Sequence, residues 1–263
     1  MISRRLGLLL LALFTFSRLA SLAKCAEPVK LPAPEQFELY LLIGQSNMAG
    51  RGVVDPTKNM PHPRVLKLDK NNEWAPATDP LHFDKPAVAG VGPGSGFGPA
   101  MAEAHAQATI GLIPCAVGGT PLARWQKGGD LWKQALERTA LARKHGTLKG
   151  VIWHQGESDA KDKSAETYGP RLQQMIADLR AELQLPNLPV VVGQLGVRAK
   201  SDEAYQRVNQ ALVDLPKSVP HCACVDSTGL KFKSDNIHFD ADSSREFGVR
   251  YAKAMLELQA AAK

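Results

Sequence analysis

One serine, one histidine and one aspartate in this sequence are residue types that together carry out nucleophilic catalysis. Ser46 lies in the stretch GQSNMAG, directly after the apolar run 39–43. His238 lies in DNIHFD near the end of the chain, three residues after Asp235. A carboxylate on one imidazole nitrogen fixes the tautomer and leaves the other nitrogen free to take a hydroxyl proton. The three residues therefore indicate acyl transfer through an activated serine.

Each of these residues also has an ordinary structural explanation. Ser46 could be a polar residue in a strand-to-helix turn, because Gly44 ends the apolar run and Gly50 permits a tight backbone. Asp235 could form an Asx turn that caps the last helix, with His238 exposed to solvent. The spacing alone leaves both interpretations open, so the elements that position the three residues have to be considered.

Apolar segments with the length of β-strands alternate along the chain with amphipathic segments that have the period of α-helices. The predicted strands are residues 37–43, 109–117, 148–154, 189–195 and 221–226. The predicted helices are residues 98–107, 131–145, 166–183, 203–215 and 243–263. Apolar strands that alternate with helices predict an α/β fold, in which a parallel sheet is covered by helices on both faces.

The polar clusters of the chain fall just after predicted strands or just before helices. They are VGPGSGFG (91–98), GGTPLARW (118–125), HQGES (154–158) and DNIHFD (235–240). Because the carboxyl ends of parallel strands meet at one edge of a sheet, we expect these clusters to surround Ser46. The Ser46 N–H, a glycine N–H from 91–98 and the Gln155 side-chain amide are then candidate donors to an oxyanion. Glycine-rich stretches are also common in ordinary loops.

Residues 51–93 interrupt the alternation of strands and helices. The segment is rich in Pro, Asp, Asn and Lys, and it contains one weak strand pattern at 65–68. Two interpretations stay open for it: a wall of the ligand crevice, or a decorated surface loop.

The first 23 residues have the pattern of a signal peptide. Arg4 and Arg5 form a positive start, 6–16 is apolar, and Ser21 and Ala23 are small residues suited to cleavage after Ala23. The apolar run is too short to predict a membrane span. We therefore predict a leader at 1–23, a single domain at 24–263, and a secreted or periplasmic location, with twin-arginine export open as a route.

Charge and cysteine usage argue against several other classes of protein. Removal of the leader takes away three arginines and no acid, so the net charge falls from +6 to +3. No Lys/Arg cluster is interleaved with aromatic residues, so we predict no nucleic-acid partner.

Cys222 and Cys224 are two apart in a predicted strand and point to opposite faces, which makes them poor disulfide partners for each other. The spacing between these cysteines and the histidines is not that of a zinc-ligand motif, so we predict no metal site. The pairing of the four cysteines, which include Cys25 and Cys115, does not follow from the sequence.

The motifs taken together resemble the SGNH-hydrolase superfamily. More narrowly, they resemble the acetylesterases of carbohydrate esterase family 6 and the sialate O-acetylesterase (SASA) domains. The resemblance rests on GQSNMAG, GVGPG, GGT followed by Trp, WHQGESDA and DNIHFD, and it covers residues 37–258. It implies a three-layer αβα sandwich with a mostly parallel, flavodoxin-like sheet of about five strands. It also implies an exported serine esterase that removes O-acetyl groups from carbohydrates without a metal or organic cofactor.

The same resemblance implies a role for each matching residue. Ser46 matches the nucleophile, His238 the general base, and Asp235 the acid that orients the histidine. The oxyanion hole is expected to consist of the Ser46 N–H, the Gly94 N–H and the side-chain amide of Gln155.

Two glutamines mark a branch of the superfamily. The parent superfamily usually has Asp before the serine and Asn in the third block, whereas this chain has Gln45 and Gln155, as family 6 does. Asn47 and Glu157 are expected to support the region of Ser46 rather than to take part in the chemistry.

The substrate is less sharply defined by the sequence. Arg124 either contacts a sugar hydroxyl or carboxylate, or forms a surface ion pair. Trp125, Trp132 and Trp153 are expected to be core or wall residues rather than sugar-stacking platforms, although Trp125 is the best candidate among them for such a platform. The resemblance favours an acetylxylan-type polysaccharide or oligosaccharide. The alternatives are a sialate 9-O-acetylesterase, another small-acyl esterase, and a non-catalytic carbohydrate-binding domain on the same fold. Neither the glycan nor the oligomeric state follows from the sequence.

Overall fold

The structure is a computed structural model that describes residues 29–196 and 202–261. The predicted leader and Cys25 lie outside these residues. The sheet has seven strands: β1 (Phe37–Gly44), β2 (Val65–Leu68), β3 (Trp74–Pro76), β4 (Thr109–Pro114), β5 (Thr147–His154), β6 (Val190–Gly193) and β7 (Cys222–Val225). Their order is β3-β2-β4-β1-β5-β6-β7, and every pair is parallel except β2 with β3. The predicted α/β fold with a mostly parallel sheet is confirmed.

The strand count is higher than the five expected, and the two additional strands come from residues 51–93. β2 pairs with β4 in parallel, and the three-residue β3 pairs with β2 in the antiparallel direction at the edge of the sheet. A strand of three residues is too short for an alternating pattern to mark it in the sequence.

Six α-helices accompany the sheet in the described residues: α1 (Ser46–Ala49), α2 (Gly94–Ala104), α3 (Asp130–Ala142), α4 (Asp162–Leu183), α5 (Glu203–Ser218) and α6 (Ala241–Ala261). Short 3₁₀ turns occupy Pro34–Gln36 and Leu122–Trp125. Helices α2 and α4 each begin four residues before the predicted start. The early start of α2 places Pro99 in the second turn of the helix instead of at its beginning.

β1 lies in the middle of the sheet and is buried along almost its whole length, since only Glu38 is partly exposed. One core cluster joins the sheet to α3, α4 and α5 and includes Trp132, Tyr168 and Leu212. The other joins the opposite face to α2 and α6. The sheet is therefore the middle of three layers, which is why its strands are apolar on both faces.

Helices α2 and α6 touch along their backbones, and this contact fixes where the last helix begins. A Cβ on Gly96 would lie 2.0 Å from the carbonyl oxygen of Arg245, and one on Gly248 would lie 2.0 Å from that of Pro93. Only glycine allows so close an approach. The loop that carries His238 leads directly into this helix.

The two ends of the 51–93 segment are joined to each other. Gly52 and Val91 form an antiparallel bridge with N–H to O distances of 3.0 and 2.9 Å, and the Gly90 N–H donates to the Gly50 carbonyl. The segment is thus a closed loop that leaves and re-enters the fold beside α1. No helix in the described residues is long and apolar enough to cross a membrane.

Candidate active site

Ser46 stands at the carboxyl end of the central strand, where the chain turns sharply into α1. Gly44 has φ of +137° and lies against the backbone of His154, so that an added Cβ would be 2.1 Å from the His154 carbonyl oxygen. The Gln45 N–H donates to that same carbonyl, which continues the pairing of β1 with β5 up to the residue before the serine. No acceptor lies against the Ser46 N–H among the described residues, as is usual for the first turn of a helix.

A continuous chain of hydrogen bonds connects Ser46, His238 and Asp235. The Ser46 Oγ lies 2.9 Å from His238 Nε2, and His238 Nδ1 lies 2.9 Å from Asp235 Oδ2. An ionised carboxylate only accepts hydrogen bonds, so Nδ1 carries the proton and Nε2 is free to accept from the serine hydroxyl. The structure brings together three residues that are up to 192 positions apart in sequence.

Asp235 is held as a carboxylate by its own loop. Partial burial raises the pKa of Asp235, but hydrogen bonds from the His238 N–H, the His238 side chain and the Ile237 N–H outweigh it and hold the pKa at about 2. Its second oxygen, Oδ1, accepts from both backbone groups at 2.9 Å. The Asx turn and the carboxylate–imidazole pair, which appeared as alternatives, therefore occur together. The cap of α6 is a different residue, Asp240, which accepts from the Ser243 N–H at 2.7 Å.

The side chain of Asn47 links the serine turn to the histidine loop. Its Nδ2 donates to the Ile237 carbonyl at 3.1 Å, and its Oδ1 accepts from the Phe239 N–H at 3.1 Å. These are the peptide groups on either side of His238. Asn47 Nδ2 also donates to Glu157 Oε1 at 2.7 Å, so that buried carboxylate orients the amide. The expected supporting position of both residues agrees with these contacts.

The two glutamines lie behind the serine and their side-chain amides are in contact with each other. Gln45 Oε1 accepts from the Ser158 N–H at 3.2 Å and from Gln155 Nε2 at 3.3 Å. Gln155 is fully buried, and its Nε2 also donates to Asp159 Oδ2 at 2.7 Å and to the Thr120 carbonyl at 3.0 Å. Both hydrogens of the Gln155 amide are thus committed inside the protein. The expected role of Gln155 as an oxyanion donor does not fit this geometry.

The glycine that lies beside Ser46 is Gly118, not Gly94. Gly94 is buried at the start of α2, where an added Cβ would meet the side chains of Leu81 and Leu42 at 2.6 and 2.7 Å. A Cβ on Gly118 would lie 3.4 Å from the Ser46 Cβ. The reason is the strand order, since Gly118 follows β4, the immediate neighbour of β1.

Arg124 and Trp125 do not take the substrate-binding positions considered for them. Arg124 forms a bidentate ion pair with Asp130 at the surface, where both side chains are exposed. Trp125 is buried, donates from Nε1 to Thr120 Oγ1 at 3.1 Å and packs edge-on against Trp153. A buried ring offers no face to a sugar.

Three charged residues near the serine were not identified from the sequence. Arg51 donates to Asp84 Oδ2 at 2.7 Å, and the same oxygen accepts from the Gly118 N–H at 2.8 Å. Asp159 accepts from the Leu122 N–H at 2.7 Å. Arg51 follows GQSNMAG directly and Asp159 lies within WHQGESDA, so their positions beside and within the motifs could have identified them as candidate site residues. Asp84 lies in the irregular 51–93 segment, where no pattern marks it.

A cavity of about 930 Å³ lies away from the serine. It lies at the amino end of the strands and is lined by residues that include Glu38, His105, Leu148 and Leu256. No group of three or more His, Cys, Asp or Glu side chains within the described parts of the chain can hold a metal ion.

Comparison with known proteins shows the family of this chain. A family model described as carbohydrate esterase, sialic acid-specific acetylesterase (SASA) matches residues 36–257. The chain belongs to this family. The protein is accordingly a carboxylic ester hydrolase, and its family acts on acetylated carbohydrates.

This esterase has relatives over most of its length. It is similar to a probable carbohydrate esterase of Arabidopsis thaliana, with 36% identity over 87% of this chain and 93% of that protein. A crystal structure of an Arabidopsis thaliana protein superposes with a TM-score of 0.78 and 34% identity over 86% of this chain and 99% of the other. The crystal structure of NanS shares the fold, with a TM-score of 0.69, 18% identity, and coverage of 88% and 100%.

Proposed function

We propose that this esterase removes O-acetyl groups from carbohydrates through an acetyl-serine intermediate. The observation that carries the proposal is the chain of two 2.9 Å hydrogen bonds from Ser46 to His238 to Asp235, in a protein of this esterase family. The Asp235 carboxylate is placed to hold the imidazole proton on Nδ1, and Nε2 is then oriented to accept the Ser46 proton, as nucleophilic catalysis needs.

The reaction proceeds in two halves. His238 Nε2 takes the Ser46 proton while Oγ attacks the acetyl carbonyl carbon, and the imidazolium is stabilised by Asp235. The imidazolium then gives the proton to the sugar oxygen as the bond from carbonyl carbon to that oxygen breaks. Water, deprotonated by the same nitrogen, attacks the acetyl-serine, and acetate leaves as Oγ regains its proton.

The oxyanion is proposed to bind the N–H groups of Ser46 and Gly119. The Gly118 N–H is already donated to Asp84, whereas no acceptor lies against the Gly119 N–H in residues 29–196 and 202–261. Gly119 has φ of +76°, which turns successive peptide groups in different directions. A preorganised donor of this kind contributes about 3 kcal/mol to transition-state binding.

Replacement of the serine tests the proposal directly. Ser46→Ala is expected to lower kcat for 4-nitrophenyl acetate by at least roughly 10⁴-fold, because the variant cannot form the acetyl-enzyme. A fluorophosphonate probe should label the wild-type protein and not the variant, with unchanged circular dichroism as the control for folding. A wild-type protein that neither hydrolyses acetyl esters nor reacts with the probe would instead indicate a carbohydrate-binding domain.

Two substrate classes follow from different observations. The motif resemblance favours an acetylxylan-type polysaccharide or oligosaccharide, and the family description favours O-acetylated sialic acid. Acetate release from acetylated xylan, acetylated oligosaccharides and 9-O-acetylated sialosides separates them. A kcat/KM at least roughly tenfold higher on the sialoside, equivalent to about 1.4 kcal/mol, would select the second class.

Export is part of the proposal, with the leader at 1–23 and one esterase domain at 24–263. The support is the order of the arginine pair, the apolar run and the small residues before position 24. N-terminal sequencing of protein recovered from the periplasm or the medium should begin at Lys24. An N-terminus at Met1 or Ile2 would contradict the cleavage.

A further inference from the structure

The segment from Gly118 to Leu122 lies beside the nucleophile, and it carries the Gly119 N–H proposed for the oxyanion. It has no regular secondary structure until the 3₁₀ turn that begins at Leu122. Within the segment, the Thr120 hydroxyl donates to the Val117 carbonyl at 2.7 Å. A donor in a loop is effective only if the loop is held in one position. The groups that hold it are two carboxylates.

Asp84 holds the first end of the segment. Its side chain is 1% exposed, and its Oδ2 accepts from the Gly118 N–H and from the Arg51 guanidinium at 2.8 and 2.7 Å. Burial raises the pKa of Asp84, but the hydrogen bonds from Arg51 and Gly118 outweigh it and lower the pKa below the usual range. The group is therefore an anion, and a charged acceptor binds a backbone N–H more strongly than a neutral one.

Asp159 holds the other end. Its side chain is 2% exposed, and its Oδ2 accepts from the Leu122 N–H at 2.7 Å and from Gln155 Nε2 at 2.7 Å. The Gln155 amide in turn donates to the Thr120 carbonyl at 3.0 Å. One carboxylate thus fixes the segment at two points, directly at Leu122 and through Gln155 at Thr120.

Each carboxylate is balanced by an arginine from a different part of the fold. Arg51 follows the serine helix and is buried, while Arg171 lies on α4, is 25% exposed and reaches Asp159 Oδ1 at 3.4 Å. Burial of even a paired carboxylate carries a desolvation cost, so two buried carboxylates that bond one five-residue segment need a reason beyond packing. Holding a peptide group at a fixed angle to Ser46 supplies that reason.

We propose that Asp84 and Asp159 are positioning residues that clamp the two ends of the Gly118–Leu122 segment and aim the Gly119 N–H at the oxyanion. The inference rests on the proposed function, since it assigns a role within that reaction. Neither carboxylate touches the substrate. Their removal acts on the rate of the chemical step through the peptide that they hold.

The principal test uses Asp159→Ala and Asp159→Asn with 4-nitrophenyl acetate. The alanine variant is expected to lose roughly 10- to 100-fold in kcat, a fraction of the 100- to 1,000-fold attributed to an oxyanion donor, with KM changed less than about twofold. The asparagine variant keeps an acceptor oxygen at the same place and should recover most of the loss. The rate of fluorophosphonate labelling should fall in parallel with kcat, because negative charge develops on the phosphoryl oxygen in the same position.

A second variant tests the opposite end without leaving a buried cation unpaired. Arg51→Met combined with Asp84→Ala removes the ion pair as a unit, which is often tolerated for stability. It is expected to lower kcat and the labelling rate by a similar factor. The matched control is Asp130→Ala, which removes an exposed carboxylate that bonds Arg124 further along the same loop and should leave kcat unchanged.

The outcomes separate this inference from the proposed function. Wild-type activity with kcat retained within twofold in both clamp variants would overturn the inference and leave the esterase mechanism standing. A kcat loss that disappears at a lower temperature, where the variant is fully folded, would also overturn it. If the wild-type protein is inactive, hydrogen exchange of residues 118–122 decides: exchange unchanged in Asp159→Ala would overturn the clamp, and faster exchange would support it.

Discussion

The two sides of the candidate active site are built in opposite ways. Ser46 follows a central strand and, together with Gln45 and Asn47, is at most 7% exposed. His238 lies in an irregular loop, in which residues 234–237 are all exposed. The serine side takes its position from the sheet, whereas the histidine side takes its position from hydrogen bonds of a loop: those of Asp235, those of the Asn47 amide, and the backbone bridge between Phe232 and Phe239.

This difference separates stability from activity. Damage to the serine side disturbs the middle of the sheet, so it should lower the free energy of unfolding and the activity together. Damage to the histidine side removes orientation from an exposed loop, so it should lower the activity with little effect on unfolding. The four changes below test that separation, from the largest expected effect to the smallest.

Asp235→Asn should have the largest effect and should act mainly on activity, with only a small loss of stability. The amide cannot hold His238 in the tautomer with its proton on Nδ1 as a carboxylate does, so we expect kcat to fall by roughly 10³- to 10⁴-fold, or about 4 to 5.5 kcal/mol. Steady-state kinetics and urea denaturation of the same preparation measure the two effects. A loss of unfolding free energy comparable to the loss of activity would remove the distinction between the two sides.

Gly44→Ala should have the next largest effect and should act on folding. An alanine there combines a positive φ with a Cβ 2.1 Å from the His154 carbonyl oxygen, so we expect about 3 kcal/mol or more of destabilisation. Gly229, in the segment that leads to His238, is the matched control. It also has positive φ, at +81°, but open space around its Cβ position, so Gly229→Ala should cost about 1 kcal/mol. Equal losses at the two glycines would show that the serine turn is no more constrained than the opposite loop.

Asn47→Ala tests the link between the two sides. It removes the bonds to the Ile237 carbonyl and the Phe239 N–H, so His238 loses its connection to the serine helix. We expect kcat to fall roughly 10- to 100-fold, or about 1.4 to 2.7 kcal/mol, with KM nearly unchanged. Asn47→Asp should be no better than alanine, because a carboxylate cannot donate to Ile237 and would face Glu157. Full activity in both variants would mean that the loop is held without this amide.

The smallest effect concerns the pH dependence of stability. The pKa of Asp235 is about 2 in the folded protein and 3.8 for an ordinary aspartate, so it stabilises the fold above about pH 4. This contribution disappears as the pH falls from about 4 to 2. The side chain is 38% exposed, so the effect is well below the full shift. The Tm difference between wild type and Asp235→Asn should shrink over that interval, and a difference that grows with acid would contradict the sign.

The sequence indicated Ser46, His238 and Asp235 more clearly than the residues that surround them. Ser46, His238 and Asp235 lie in motifs, and their residue types indicate their chemistry. The parallel sheet follows from the alternation of apolar strands and amphipathic helices. The order of the strands does not follow from that alternation. The glycine beside Ser46 was therefore placed at 94 instead of 118, because only the strand order shows that β4 adjoins β1.

The buried network around Gln155 could not be predicted for a related reason. A glutamine at a motif position indicates a functional amide, but its direction depends on what lies behind it. Here Asp159 and the Thr120 carbonyl take both amide hydrogens, and neither contact has a local signature. Similarly, Arg51 and Asp84 are 33 residues apart, and nothing in either neighbourhood indicates the partner. Trp125 was considered for sugar stacking because residue type alone does not reveal that its ring is covered.

The joined ends of the 51–93 segment have a consequence for how such enzymes diversify. Gly52 and Val91 pair with each other beside the serine helix and so fix the ends of the segment, while β2 inside it belongs to the sheet through its pairing with β4. The entropic cost of a loop grows slowly with its length once its ends are fixed. The stretches of the segment outside β2, β3 and Asp84 can therefore differ in length between esterases of this family, provided that the edge of the sheet and the carboxylate that holds Gly118 are kept.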